Sequence, residues 1–438
     1  MSAITDPPAG SKPGPSGEDI PQTAGAQPAP EVDVLAGGIV GRDPLTDPGI
    51  PTPEIPLSEA RSFEGYISAM PIEPEAAPIS SRGPIGWARA HLFNSVGNSV
   101  LTVAFGALAV YMIWGLVQFA LIDATWTGAD REACLAKPGQ TAGACWPMIH
   151  ERLAYFVYGS YPIDQRWRVD IVFALGAVGL VWALWLNAPR RDLGAAYFFV
   201  FFPIAAFCLL SGVPLIGLSK VDSDLWGGIL VTLVISSAGI VAALPVGILL
   251  ALGRRSKLPV VSLAATMFIE IARGVPLITV LFVAKVMLGY FVPERFDPTL
   301  MVKALLLVAL FSAAYMAEVV RGGLQAIPKG QQEGASSLGL GYWQSMRLII
   351  LPQALRVTIP GIVNTFIGGF KDTSLVLIIG MFDFLGTIQI ATSDAKWATP
   401  VSAPTGYLFA ALFYWICCFG MSRYSRAVEM RLSVAHKR

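Results

Sequence analysis

The sequence predicts an all-α polytopic membrane protein with about eight transmembrane helices, and three observations carry that expectation. Hydrophobic residues make up 54% of the 438 and charged ones only 14%, where a soluble domain carries about 25% charged residues. The apolar residues fall in runs of the length that a hydrocarbon core roughly 30 Å thick demands, about 20 residues of helix. Arginine and lysine gather in the short connectors between those runs. Backbone polar groups in lipid must be satisfied within the segment, so the runs read as helices.

The same arithmetic excludes other classes. The net charge of +1 is the difference between 31 basic and 30 acidic residues, so no nucleic-acid footprint is implied. The three histidines, His91, His150 and His436, are too far apart for a His-based metal site, and no metal is expected. The motifs G-x-x-x-x-G-K-[ST], H-E-x-x-H and G-x-S-x-G are absent. The chain is therefore read as no enzyme: it has no candidate catalytic residue and does not itself hydrolyse nucleotide.

Taken in order, residues 1–80 hold 15 of the 32 prolines and 12 acidic against 3 basic residues. Such a segment cannot bury enough apolar surface to offset its ordering entropy, so a disordered tail is expected, either a solvated spacer or a partner-binding arm. Beyond Pro84, uncharged spans are expected at Val100–Ile122, Ile171–Leu186, Ala195–Leu218 and Trp226–Leu252. Four more, with charges at or inside them, follow at Val275–Val292, Leu300–Val320, Val357–Phe370 with Ser374–Met381, and Tyr407–Met421.

Basic residues fix the orientation. Arg82 and Arg89, Arg190 and Arg191, Arg254, Arg255 and Lys257, and the tail from Arg423 to Arg438 occupy alternate connectors. The positive-inside rule puts these, and both termini, in the cytoplasm. Cys134 and Cys145 then fall in an outer loop, Asp123–Asp170, where an oxidising space favours a disulfide over two free thiols. Cys208, Cys417 and Cys418 lie inside spans as small apolar residues.

The connector Ile327–Pro352 is unlike the others. It reads as a short amphipathic helix over Gln331–Leu338, a break at Gly339 and Gly341, and a second helix over Tyr342–Leu351 that Pro352 stops. Trp343, Met346 and Ile350 recur at helical spacing and predict an exposed apolar face. A partner site is one reading, and a hairpin lying on the lipid is the other.

In this connector Glu333-Gly334-Ala335, Gly339 and Ile349-x-Leu351-Pro352 are similar to the E-A-A-x-x-x-G-(x9)-I-x-L-P loop of permease subunits in bacterial ABC importers. Thr232-Leu233 with Ala251–Arg254, Glu270–Leu277, Ala314–Gly323 and Lys371–Leu375 resemble the polar amino-acid branch of that family in order and spacing. The match covers about 226–424, and the wider architecture most resembles the general L-amino-acid permease subunits of α-proteobacteria and their glutamate/glutamine/aspartate/asparagine relatives. The resemblance implies a bacterial inner-membrane subunit of an ATP-driven importer of L-amino acids, with a five-helix type I core. It divides the chain into a tail over 1–83, an extension with three spans over 84–222, the core over 223–426 and a basic tail over 427–438. It also implies a periplasmic amino-acid-binding protein, a second permease subunit in a heterodimer, and a dimer of ATP-binding subunits that hold ATP and Mg. Glu333 would pair with a basic group on the ATPase, and Gly339 would allow the turn into its cleft. Gly334 departs from the usual alanine, and Val275 from the frequent threonine.

Charges inside the membrane form the second signal. Glu270 with Arg273, and Glu318 with Arg321, are expected as i,i+3 pairs that neutralise one another as hinge anchors, with a role in the substrate path as the alternative. Lys371-Asp372-Thr373 interrupts the seventh span, and its cation and anion suit either the ends of a zwitterionic amino acid or a buried structural pair. Lys285 and Asn364 are weaker path candidates. An ion-coupled secondary amino-acid transporter is the alternative function. It has no use for a glycine-hinged connector, and the chain lacks a clear inverted repeat.

Overall fold

The computed structural model describes residues 83–434 except 137, 140, 186–187, 215–216, 288–289, 291 and 293–297. The disorder expected for the N-terminal tail falls on residues outside the described ones, as does the end of the basic tail. The chain forms two units that divide between Asn94 and Ser95. In the described part of the first, α1 (Gly83–His91) stacks the rings of Trp87 and His91 5.2 Å apart.

In the second unit, α2 (Val96–Ile122) starts at Ser95, whose hydroxyl accepts from Asn98 N at 3.2 Å. None of the residues Val96–Val117 is buried. A helix apolar on all sides with no protein around it belongs in lipid. Next come α3 (Trp146–Tyr158), α4 (Ile163–Leu184), α5 (Asp192–Ser211) and α6 (Gly228–Arg254). The helices α7 (Pro259–Gly274), α8 (Leu277–Val286) and α9 (Leu300–Ala326) follow.

Among the described residues, seven helices are long and apolar enough to cross a membrane, including α2, α4, α5, α6 and α9. The fifth expected span differs from Val275–Val292. Here α7 and α8 meet at 100°, because Pro276 has no N–H to continue a helix and drives Val275 into extended backbone, at φ −111° and ψ 135°. With ten residues, α8 is only about 15 Å long, half the hydrocarbon thickness. The expected eight spans are reached by counting the bent pair as one.

The packing of α6 on α9 supports that count. Gly239 lies opposite Val308, Gly247 opposite Met316, and Arg254 bonds Glu318, so the two helices run parallel and end on the same side. Parallel neighbours require the chain between them to return across the membrane. Gly247 makes the approach close: a Cβ there would sit 2.7 Å from Met316 Cβ.

Beyond α9 come α10 (Lys329–Ser337), a composite helix α11 over 342–357, and the span α12 (Ile359–Ile379), which tightens to 3-10 geometry from Thr373. Gly380 ends it with φ +87°. Then α13 (Phe384–Thr392) and α14 (Ser402–Val434) close the fold. Neither α3 nor α13 is expected from the sequence, since each is too short for a span and lies in what reads as a connector.

These two helices meet in one cluster. Cys134 and Cys145 are joined in a disulfide with Cα atoms 5.5 Å apart, and both pack with Met148, Phe156, Phe384, Ile388 and Trp397. Polar contacts clamp the same assembly: Arg152 pairs with Asp394, Lys396 Nζ lies 2.7 Å from Glu151, and Arg131 N donates to Lys396 O at 2.8 Å. The Lys396 ammonium holds the Glu151 carboxyl below its ordinary range.

Candidate functional site

The glycine break in the connector is a helix terminator of defined geometry. The last turn of α10 closes with Gly339 N donating to Ser336 O at 2.9 Å and Leu340 N to Ala335 O at 3.1 Å. That is the Schellman pattern, which needs a left-handed residue, and Gly339 has φ +74°. Ala335 is buried, while Glu333, Gly334 and Gly339 are exposed, and a Cβ on either glycine would meet nothing in this chain.

The second helix departs from expectation. Tyr342–Ser345, a π turn over Met346–Ile350 and Leu351–Val357 run on as α11, so Pro352 starts a further segment and does not stop the helix. A π turn inserts an extra residue per turn, which suits a proline that has no N–H to give. The insertion also splits the face that simple periodicity predicts. Met346 and Ile350 turn inward, each 4% exposed, whereas Trp343 is 68% and Leu338 78% exposed. The surface therefore consists of Leu338, Tyr342, Trp343 and Leu348 beside Glu333. Ile349 and Leu351 pack half-buried against the inner core, and Pro352 is exposed. Gln353 Nε2 donates to Gln331 Oε1 at 3.1 Å and ties α11 to α10, a contact without a sequence signature.

This surface is packed on the spans at α9. Gly323 of α9 lies against α11 so closely that a Cβ would come 2.7 Å from Ala354 O. A charge cluster ties the spans to one another. Arg254 donates to Glu318 at 2.6 Å and to Glu270 at 2.8 Å. Arg321 donates to Glu318 at 2.6 Å, and Arg273 lies 3.4 Å from the same carboxylate. The expected Glu318–Arg321 pair forms; the expected Glu270–Arg273 pair does not. The reason is Arg254, at the end of α6, whose planar fork bridges both carboxylates and leaves Arg273 to Glu318 and the Tyr315 ring. The cluster joins the ends of α6, α7 and α9.

The path candidates do not converge. Lys371 and Asn364 are exposed on α12, Asp372 is half-buried, and Lys285 is exposed on α8 beside Gly380. Lys371 and Asp372 form no ion pair. Thr373 is fully buried, its hydroxyl donating to Phe370 O at 2.9 Å.

A buried polar knot behind Thr373 escaped the sequence reading. Asp383 is fully buried, Oδ1 accepting from Gly386 N at 2.9 Å and Oδ2 from Tyr414 OH at 3.0 Å. Phe384 N donates to Thr232 Oγ1 at 3.0 Å, which brings α6 into the same knot. Burial pushes the Asp383 carboxyl above its ordinary range, against the pull of those hydrogen bonds. Only the helix-capping pattern of Asp383 before α13 was available as a signal.

Residues 243–434 match the family model described as binding-protein-dependent transport system inner membrane component. The chain is 47% identical to the inner membrane amino-acid ABC transporter permease protein YhdY of Escherichia coli (strain K12), over 82% of this chain and 96% of that one. It is 38% identical to the glutamate/glutamine/aspartate/asparagine transport system permease protein BztC of Rhodobacter capsulatus, over 86% of this chain and 100% of that one. A solved structure, of an amino acid ABC transporter with histidines, aligns with 47% of this chain and 92% of its own at 28% identity and a TM-score of 0.41.

Proposed function

The chain belongs to the family of binding-protein-dependent inner-membrane transport components, as an amino-acid ABC transporter permease, and from that premise we propose how it works. It is a multi-pass inner-membrane subunit that carries L-amino acids inward, within a range that includes glutamate, glutamine, aspartate and asparagine. ATP and Mg bind partner subunits, a periplasmic binding protein delivers the substrate, and a second, different permease subunit completes the path. Both termini and the connector between α9 and α12 face the cytoplasm, and the disulfide loop faces the periplasm.

The observation that carries this reading is the built shape of the connector. A Schellman-closed helix holds Glu333 beside exposed Leu338, Trp343 and Leu348, while Ala335, Met346 and Ile350 anchor it from beneath. Exposed apolar side chains on a rigid base mark a docking face. The ATP-binding subunit sits on this face, Glu333 meeting one of its basic groups.

Motion passes inward through the two joints. A push on α10 and α11 reaches α9 where Gly323 touches Ala354, and the charge cluster makes the ends of α6, α7 and α9 move together. The spans then exchange between two states that differ in contacts to the ATPase and to the binding protein, as alternating access requires. Lys371, Asp372 and Thr373 lie along the path where α12 tightens to 3-10 geometry, with Asn364 and Lys285 at its margins.

Uptake of labelled L-glutamine by cells carrying the complete importer tests this. A Walker-lysine substitution in the partner ATPase abolishes uptake on this reading, and a protonophore added in the presence of ATP does not. Uptake that survives the first and collapses with the second belongs to an ion-coupled transporter.

A further inference from the structure

The helix α7 crosses the ends of the spans and does not run through the membrane beside them. Its 16 residues are about 24 Å long, enough to carry its last turn most of the way across a hydrocarbon core. Near its start, Val261 and Ala265 lie against the end of α6, where a Cβ on Gly253 would sit 3.7 and 3.2 Å from their side chains. Ser262 Oγ donates to Arg254 O at 2.9 Å. In its last turns, Glu270 meets Arg254 and Arg273 meets Glu318, and those two partners bond each other. Both ends of α7 therefore stay at the level where α6 ends.

The two sides of α7 differ. Ala265 and Ile269 are buried, whereas Val260, Leu263, Met267 and Ile271 recur at helical spacing on the other side and are each between 53% and 77% exposed. In the turn before α7, Arg255 and Lys257 are exposed, and neither pairs with a carboxylate among the described residues. Glu270, the one acid of α7, is already taken by Arg254. A helix with an aliphatic face and cations at its edge lies in the plane of a bilayer interface and is drawn to an anionic one.

We propose that α7 is a docking face for anionic phospholipid of the cytoplasmic leaflet, and that this lipid activates the importer. Headgroup phosphates sit on Arg255 and Lys257, and acyl chains cover Val260, Leu263, Met267 and Ile271. The phosphodiester supplies the anion that the chain itself does not. Held flat by the lipid, α7 keeps Glu270 on Arg254, so the ends of α6, α7 and α9 move as one. The proposal goes beyond the importer reading and rests on it for the side of the membrane.

The test reconstitutes the complete importer in phosphatidylcholine vesicles with and without about 30 mol% phosphatidylglycerol and follows ATP-driven uptake of L-[14C]glutamine. The anionic lipid raises wild-type uptake about fivefold, and Arg255→Gln with Lys257→Gln removes most of that rise. Arg426→Gln, at an exposed cation near the end of α14, keeps it. No rise in wild type, an equal rise in the double variant, or loss of the rise in Arg426→Gln overturns the proposal. A second measurement needs no transport. Met267→Cys, in a chain with Cys208, Cys417 and Cys418 changed to alanine, is labelled with bimane, and brominated phosphatidylglycerol quenches it more than brominated phosphatidylcholine does. Equal quenching by the two lipids overturns the site, as does no quenching at all, which would show that protein covers this face. Wild-type vesicles that take up no L-glutamine at either composition overturn the importer reading, and the quenching still decides the site.

Discussion

Asp383 shows how a single residue is stabilised where its charge is costly. It lies fully buried with no cation against it among the described residues, and hydrogen bonds from Gly386 N and Tyr414 OH compensate. Asparagine keeps an acceptor and removes the charge, so Asp383→Asn shifts stability by less than about 1 kcal/mol. Alanine leaves a buried amide and phenol unpaired and costs roughly 1–3 kcal/mol. Thermal unfolding of the purified protein in detergent separates the two, and equal losses for both would show that the charge itself holds the knot. Gly339 is the opposite case, legible from sequence. A glycine between two short amphipathic segments signals a left-handed turn, and φ +74° is what the turn takes.

At the scale of elements, the spans were legible because each is a long apolar run, and lipid leaves such a run one structure to adopt. Three features were hidden. Pro276 turns one run into the bent pair of α7 and α8. The π turn of α11 buries Met346 and Ile350, which straight-helix periodicity had placed outside. Arg254 draws Glu270 away from Arg273, a contact 16 residues distant in sequence. The proline bend is a local signal that hydrophobic spacing passes over, whereas the other two depend on a change of helical pitch or on a partner from elsewhere in the chain.

Two predictions belong to these joints. At Gly323 the neighbours include backbone, which cannot move aside, so Gly323→Val pushes α9 off α11 and costs roughly 1–3 kcal/mol by overpacking. Amino acid transported per ATP hydrolysed then falls more than complex abundance does; an unchanged ratio would mean that motion does not pass through this contact. In the cluster of α3 and α13, Cys134→Ser with Cys145→Ser removes a closure worth roughly 3 kcal/mol to that loop. Hydrogen exchange should rise around Trp397–Thr405, which Arg131 and Cys145 hold, while uptake persists. Unchanged exchange would show that the packing of α3 on α13 suffices without the bond.

For the whole molecule, the proposed mechanism needs three parts: the disulfide cluster of α3 and α13, the bundle of spans, and the face of α10 and α11 on which we propose that the ATPase docks. Family and general architecture were readable from motifs of local sequence. How the parts are joined was not, because the close approach at Gly323, the cluster at Glu318 and the knot at Asp383 exist only once the helices meet. The central claim is that the Gly339-closed connector couples the ATPase to transport. Gly339→Val tests it most directly, since a β-branched residue at this left-handed position strains the turn by roughly 1–2 kcal/mol and leaves the spans untouched. ATP-driven L-glutamine uptake by the reconstituted importer should be lost, with normal abundance of the chain in the membrane and fewer ATP-binding subunits in pull-downs. Uptake at the wild-type rate would contradict the account.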